Sequence, residues 1–240
     1  MLVRAGFEWL AADVHIFDID GTLLNSRDAV HYFAFRHAMS AVLGLDATID
    51  HVPVHGNTDP GILRAVLRNH GLADAAMDEA LPKLFAVMCA EVERNCDQLS
   101  PELCPSILPL LERLRAENKV LGVASGNLAP IGWLKLERAG LRQIFSFGSF
   151  SHPRELRRDI FLHAIELARV AAGENAEVLI VGDTPSDIAA AREIGVPVVA
   201  LATGVYDFQA LAQMQPDACF ASAADLLAFS DKNLGNRRKD

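Results

Sequence analysis

The chain has 240 residues, enough for one large domain or a core carrying an insertion, and 51% of them are apolar, so a sizeable interior can be buried. The net charge is −9 and the only basic run is the short C-terminal "NRRKD", which argues against a nucleic-acid partner, since phosphate backbones need a basic face. Four cysteines without CxxC spacing argue against a disulfide frame or a zinc site and for the reduced thiols of a cytoplasmic protein.

The N-terminal stretch is broken by Glu8 and Asp13, and is expected to be neither a secretory signal nor a membrane span. The first strand candidate is "VHIFDI" (14–19). From about Asn25 to about Pro105 no convincing strand occurs. Helical patterns fill the gap at 31–44, 61–71 and 77–95, with Pro82 interrupting the last or sitting in its first turn. Beyond it, strands are expected at 120–125, 144–150, 178–183 and 196–202, with a weaker one at 218–220, and helices at 106–118, 157–173 and 186–195. Alternating strands and helices imply right-handed crossovers and a parallel sheet covered by helices, a Rossmann-like α/β core. The expected division is a core of residues 1–24 and 106–240 and an all-helical insertion of residues 25–105. Ligands of open α/β sheets bind at the carboxyl ends of the strands, so an insertion leaving from there overhangs the site.

Three motifs fall at such strand ends. In "FDIDGTLLNS" (17–26), Asp18 and Asp20 are two apart and are expected on one side, with Gly21 turning the backbone. Two close carboxylates suit Mg²⁺, and they suit a nucleophile and a general acid working on phosphorus. A "DG" hairpin turn would explain them without function. A calcium loop is disfavoured, because its twelfth position would be Ala29 rather than a glutamate. In "VLGVASGN" (120–127), Ser125, Gly126 and Asn127 could hold phosphate oxygens or merely lead into a Pro-started helix. In "VLIVGDTPSD" (178–187), a capping box accounts for Thr184 and Asp187 but leaves Asp183 as a candidate metal ligand. A site cation could come from Arg154, Arg157 or Arg158.

In combination and in order, these stretches resemble the haloacid dehalogenase superfamily. "DIDGT" (18–22) resembles its first motif, "SGN" (125–127) its second, and "GDTPSD" (182–187) its fourth. The resemblance implies that Asp18 is the nucleophile and that Asp20 is the general acid/base, also lending its backbone carbonyl to Mg²⁺. It implies that Thr22, Ser125 and the amides near Gly126 and Asn127 bind the phosphoryl group. Asp183 would complete the metal site with Asp18 and Asp20, supported by Asp187. The helical insertion resembles the family's cap. The third motif departs from the common lysine form, and comparison with arginine-bearing members points to Arg157. In "HGNTDPG" (55–61), Gly56, Thr58 and Asp59 resemble a stretch of phosphoglycolate-phosphatase-like members, although Asp59 before Pro60 is also an ordinary helix start. His31, His37, His51 and His55 lack metal-ligand context and are expected as surface or cap residues.

Asp20 bears on the reaction. Superfamily dehalogenases lack that carboxylate, because a halide leaves unprotonated, whereas an ester oxygen needs a proton. The expectation is a Mg²⁺-dependent phosphatase for a small phosphorylated metabolite, working as a monomer or homodimer. A phosphomutase of the same fold and a non-catalytic metal- or phosphate-binding module are the alternatives.

Overall fold

The computed structural model describes residues 1–26 and 28–237, so the C-terminal basic run extends beyond the described residues. The chain runs β1 (Leu2–Val3), β2 (Val14–Phe17), β3 (Leu24–Ser26), α1 (Val30–Leu43), α2 (Asp59–Asn69), α3 (Asp74–Arg94), β4 (Pro101–Leu103), α4 (Ile107–Ala116), β5 (Val120–Ala124), α5 (Ala129–Arg138), β6 (Phe147–Ser149), α6 (Arg157–Ala172), β7 (Val178–Gly182), α7 (Pro185–Glu193), β8 (Val198–Leu201), α8 (Phe208–Gln213), β9 (Ala218–Phe220) and α9 (Ala223–Arg237).

Seven strands form one sheet in the order β1-β9-β8-β7-β2-β5-β6. All its pairs are parallel except β1 with β9. The strands buried on both sides explain the short all-apolar runs of the sequence. Period-two alternation splits β2 between two cores. Val14 and Ile16 face the cluster beneath α6 and α7, while Phe17 faces the cluster shared with α4 and α9. The sheet is the expected α/β core, and β2 lies at its centre between β5 and β7, the strands that carry the other two motifs.

Helices α1, α2 and α3 build a third apolar cluster from Phe35, Met39, Leu63, Leu67, Leu84 and Met88, among others. Leu128 and Ile131 at the start of α5 join that cluster, so the helical insertion rests on the core beside Ser125–Asn127.

Three local expectations need correction. The stretch 25–105 does contain strands: β3 and β4 pair antiparallel, Leu24 opposite Leu103. They are too short and polar to register as strands, and their pairing spans the whole insertion. Pro82 neither interrupts α3 nor opens it; it lies inside a continuous helix. A proline there removes one helical hydrogen bond, but Leu81, Leu84, Phe85 and Met88 around it are buried and hold the helix in place. The run 144–150 forms only the three-residue β6, because Arg142–Ile144 coil into a 3-10 turn.

Candidate active site

β2 ends at Phe17, and Asp18 is the first residue past it, buried, with its N–H donating to Val181 O at 2.9 Å. Gly21 then turns the chain at φ +89. A Cβ at Gly21 would stand 2.2 Å from Asp183 Oδ2, and one at Gly204 would stand 1.9 Å from the same atom. The carboxylate of Asp183, one residue past β7, therefore sits in a cradle that only glycines leave open.

Oxygens of Asp18, Asp183 and Asp187 come within 4.8 Å of one another, and all three residues are buried. Arg157, the first residue of α6, reaches into the group. Its Nη1 donates to Asp18 Oδ1 at 3.1 Å, and its Nε lies 3.2 Å from Asp187 Oδ1 without hydrogen-bond alignment. Arg158 instead pairs with Glu193 on the surface, and Arg154 is not among the residues around the site. Asp187 Oδ2 closes the helix-start box with Thr184, as its spacing predicts, which leaves Oδ1 buried without a hydrogen bond.

Three buried carboxylates against one guanidinium leave an uncompensated negative charge. Burial pushes the carboxyl of Asp18 above the usual range, with Asp187 and Asp20 adding to the effect against Arg157. Burial does the same to Asp183, reinforced by Asp18 and Asp187. A hard divalent cation is the natural partner for an all-oxygen set of this charge with an orphaned Oδ1, so the residues fit the metal that the motifs imply.

Asp20 occupies a different setting in the same cavity. Its side chain is not in the three-aspartate group. It accepts both oxygens' worth of bonds from Lys135 Nζ (2.9 and 2.8 Å) and one from Asn127 Nδ2 (2.7 Å). Burial opposes the charge, but Lys135 and Asn127 outweigh it and hold this carboxyl below its ordinary value. The Asp20 side chain thus faces a lysine and an amide, and the part in metal binding that the resemblance implies for this residue belongs to its backbone carbonyl. Thr22 needs correction. Its hydroxyl donates to Asp183 Oδ1 at 2.7 Å, so it braces the aspartate group instead of facing a phosphate.

Ser125, Gly126 and Asn127 line the cavity next to Asp20, and the Asn127 amide also donates to Ser125 Oγ at 2.7 Å. Lys135, in α5, was not anticipated. It is 3% exposed and also donates to Asn127 Oδ1 at 3.0 Å. The one hint is its position four residues after Ile131, on the buried face of the helix.

The helical insertion closes the cavity, whose volume is about 340 Å³. Thr58, rather than Asp59, caps α2, its Oγ1 accepting from Gly61 N–H. Asp59 ties the insertion to the core: its N–H donates to Gly126 O (2.8 Å), and its carboxylate accepts from Leu128 N–H (2.7 Å). Gly56 lies against Thr184 and Ser186 at the start of α7. His31 and His55 face the cavity, with His31 Nε2 3.3 Å from Asp59, whereas His37 and His51 lie outside it. The four cysteines are free, and no helix among the described residues is long and apolar enough to cross a membrane.

A Rossmann-like sheet with acidic motifs at the ends of β2 and β7 and the Ser125–Asn127 turn at the end of β5, all beneath a helical cover, is the site of a hydrolase. The family model described as haloacid dehalogenase-like hydrolase matches residues 15–201. The chain belongs to that family. It is 31% identical over 217 residues to a phosphoglycolate phosphatase of Synechococcus elongatus, covering 88% of this chain and 94% of that protein. A phosphoglycolate phosphatase of Mesorhizobium japonicum is 25% identical, with 82% and 86% covered. In fold it resembles a haloacid dehalogenase-like hydrolase of Bacteroides fragilis (TM-score 0.69, 21% identity, 90% and 99% covered). It also resembles CbbY of Rhodobacter sphaeroides in complex with phosphate (TM-score 0.65, 19% identity, 90% and 96% covered).

Proposed function

We propose that the chain is a Mg²⁺-dependent phosphatase for a small phosphate monoester, with phosphoglycolate among the first substrates to try because the curated relatives carry that name. The observation that carries this reading is Asp18, buried at the centre of the sheet edge, between the Arg157 guanidinium and the carboxylates of Asp183 and Asp187. Asp18, Asp183 and the backbone carbonyl of Asp20 would hold the ion, with Asp187 behind them. Bound there, Mg²⁺ supplies positive charge against the phosphoryl oxygens.

An Asp18 oxygen attacks phosphorus as the bond to the leaving oxygen breaks, giving an aspartyl phosphate. The leaving oxygen takes its proton from Asp20, which has to enter this step in its protonated form although Lys135 and Asn127 favour the carboxylate. Water then attacks the phosphorus, gives a proton to Asp20, and the bond to Asp18 breaks. Such proton transfer contributes roughly 10²–10⁴-fold in rate. Ser125 and Asn127 orient the phosphoryl group, and Arg157 offsets its charge. The cavity volume of about 340 Å³ supports a small substrate.

The test is phosphate release from a panel of phosphorylated metabolites with Mg²⁺ and with EDTA, for the wild type and Asp18→Asn. Metal-dependent release lost by about 10³-fold or more in the variant is the expected outcome. Retained turnover in Asp18→Asn sinks the nucleophile assignment, and isomerisation of a sugar phosphate in place of steady release would favour a mutase.

A further inference from the structure

One interdomain ion pair has no part in the chemistry just described. Arg64, on α2 of the helical insertion, donates from Nε to Glu155 Oε2 (2.6 Å) and from Nη2 to Glu155 Oε1 (2.9 Å). The two parallel bonds fix orientation as well as distance. The side chains are 22% and 35% exposed, so the pair is better shielded than an ordinary surface contact.

Glu155 belongs to the core segment 151–156, which joins β6 to α6. Two residues later comes Arg157, whose guanidinium meets Asp18. The insertion grips this segment at two further points. Thr58 Oγ1 donates to Glu155 O at 2.9 Å, and the Phe85 ring of α3 lies 5.2 Å from that of His152.

The first turn of α6 is tied to the core by Arg158 to Glu193 (2.6 Å) and by Ile160 O accepting from Ser149 Oγ (2.8 Å), but its N-cap carries no side-chain anchor of its own. Leu156 stands at its N-cap without a capping side chain, and is 57% exposed. A helix start with neither a polar cap nor a buried staple takes its position from the chain before it. Here that chain is held from the insertion by Arg64 and Thr58, and from the core by Ser151 N–H donating to Asn127 O at 3.1 Å.

We infer that Arg64 is a positioning residue: seated over the site, the insertion uses the Arg64–Glu155 pair to set the first turn of α6 and so the Arg157 guanidinium against Asp18. The kinetic consequence rests on the phosphatase reading; the geometric one does not. Misplacing a charge-stabilising group by about 1 Å can cost about 10²-fold in rate.

The experiment compares Arg64→Met, Glu155→Gln and the double variant with Asp78→Asn. Asp78 holds Arg64 at 2.6 Å from within the insertion alone, and so controls for loss of a cap ion pair. Three quantities are read: kcat and KM with Mg²⁺, inhibition by orthovanadate, and amide hydrogen exchange over residues 151–160. Each of the first two single variants should lower kcat by about 10- to 100-fold, weaken orthovanadate in step, and speed exchange in the segment. The double variant should be no worse than the poorer single by more than about 3-fold, since both break one link. Asp78→Asn should stay within about 3-fold of wild type. A change in KM alone, losses that multiply in the double variant, or unchanged exchange over 151–160 would each overturn the inference. Should the wild type release no phosphate, the phosphatase reading fails, and the exchange comparison by itself still decides for or against Arg64.

Discussion

Two carboxylates two residues apart, Asp18 and Asp20, meet two different cations, and the settings are not equivalent. Asp18 shares Arg157 with Asp187 and lies beside Asp183, so acid outnumbers base where side-chain exposure is below a tenth. Asp20 has Lys135 to itself, plus an amide, and its side chain keeps 42% exposure. The first setting is short of positive charge; the second is balanced. Charge deficit in a dry pocket calls for an added cation, whereas a balanced pair beside water holds a carboxylate ionised and able to accept a proton.

Substitution of the two cations should break this equivalence most sharply. Arg157→Met leaves three buried carboxylates unpaired and should cost about 3–5 kcal/mol of stability, read as a lower urea midpoint, with added Mg²⁺ recovering part of it. Lys135→Met should cost less than about 1 kcal/mol, because Asp20 can turn to solvent. Equal losses would show that the contrast is wrong. Another buried ionisable group, His15 in β2, forms no ion pair among the described residues, and its Nε2 lies 2.9 Å from Trp9 O. Burial pushes its pKa down from 6.5 to about 4. The unfolded chain therefore binds the proton more readily, and stability present above pH 6.5 falls as pH drops towards 4, by about 3 kcal/mol in total. His15→Gln should flatten that part of the pH–stability curve.

Smaller effects sharpen the comparison further. Gly204→Ala drives a methyl into Asp183 Oδ2 and should weaken Mg²⁺ binding by about 10- to 100-fold, measured by calorimetric titration. It should leave the Asp20 setting intact. Lys135→Met should lower kcat by about 10-fold at unchanged Mg²⁺ affinity; a loss of metal binding instead would move Lys135 into the first setting.

The sheet edge was legible because each motif ends an apolar run, and runs of that kind announce strands. Asp18, Asp183 and Ser125 follow from strand direction alone. Arg157 could not be separated from Arg154 and Arg158 until the helix start was known, since one residue of shift turns a side chain by about 100° around a helix. Lys135 was hidden because nothing in "WLKLER" distinguishes a buried lysine from one on the solvent face. Thr22 resembles a phosphate ligand in the sequence because order along the chain says nothing of which neighbour its hydroxyl meets. The pair β3–β4 depends on contacts nearly eighty residues apart, which no local pattern records.

That pair has a mechanical result. The chain enters the helical unit through β3 and leaves it through β4, and the two crossings are hydrogen-bonded side by side, with Cys104 N–H joined to Leu23 O. Two strands laced together swing like a gate on one post, where two loose tethers would let the load wander. The foot of that post is the bridge between Leu24 and Asp20, so the hinge strands and the Asp20 backbone form one hydrogen-bonded unit.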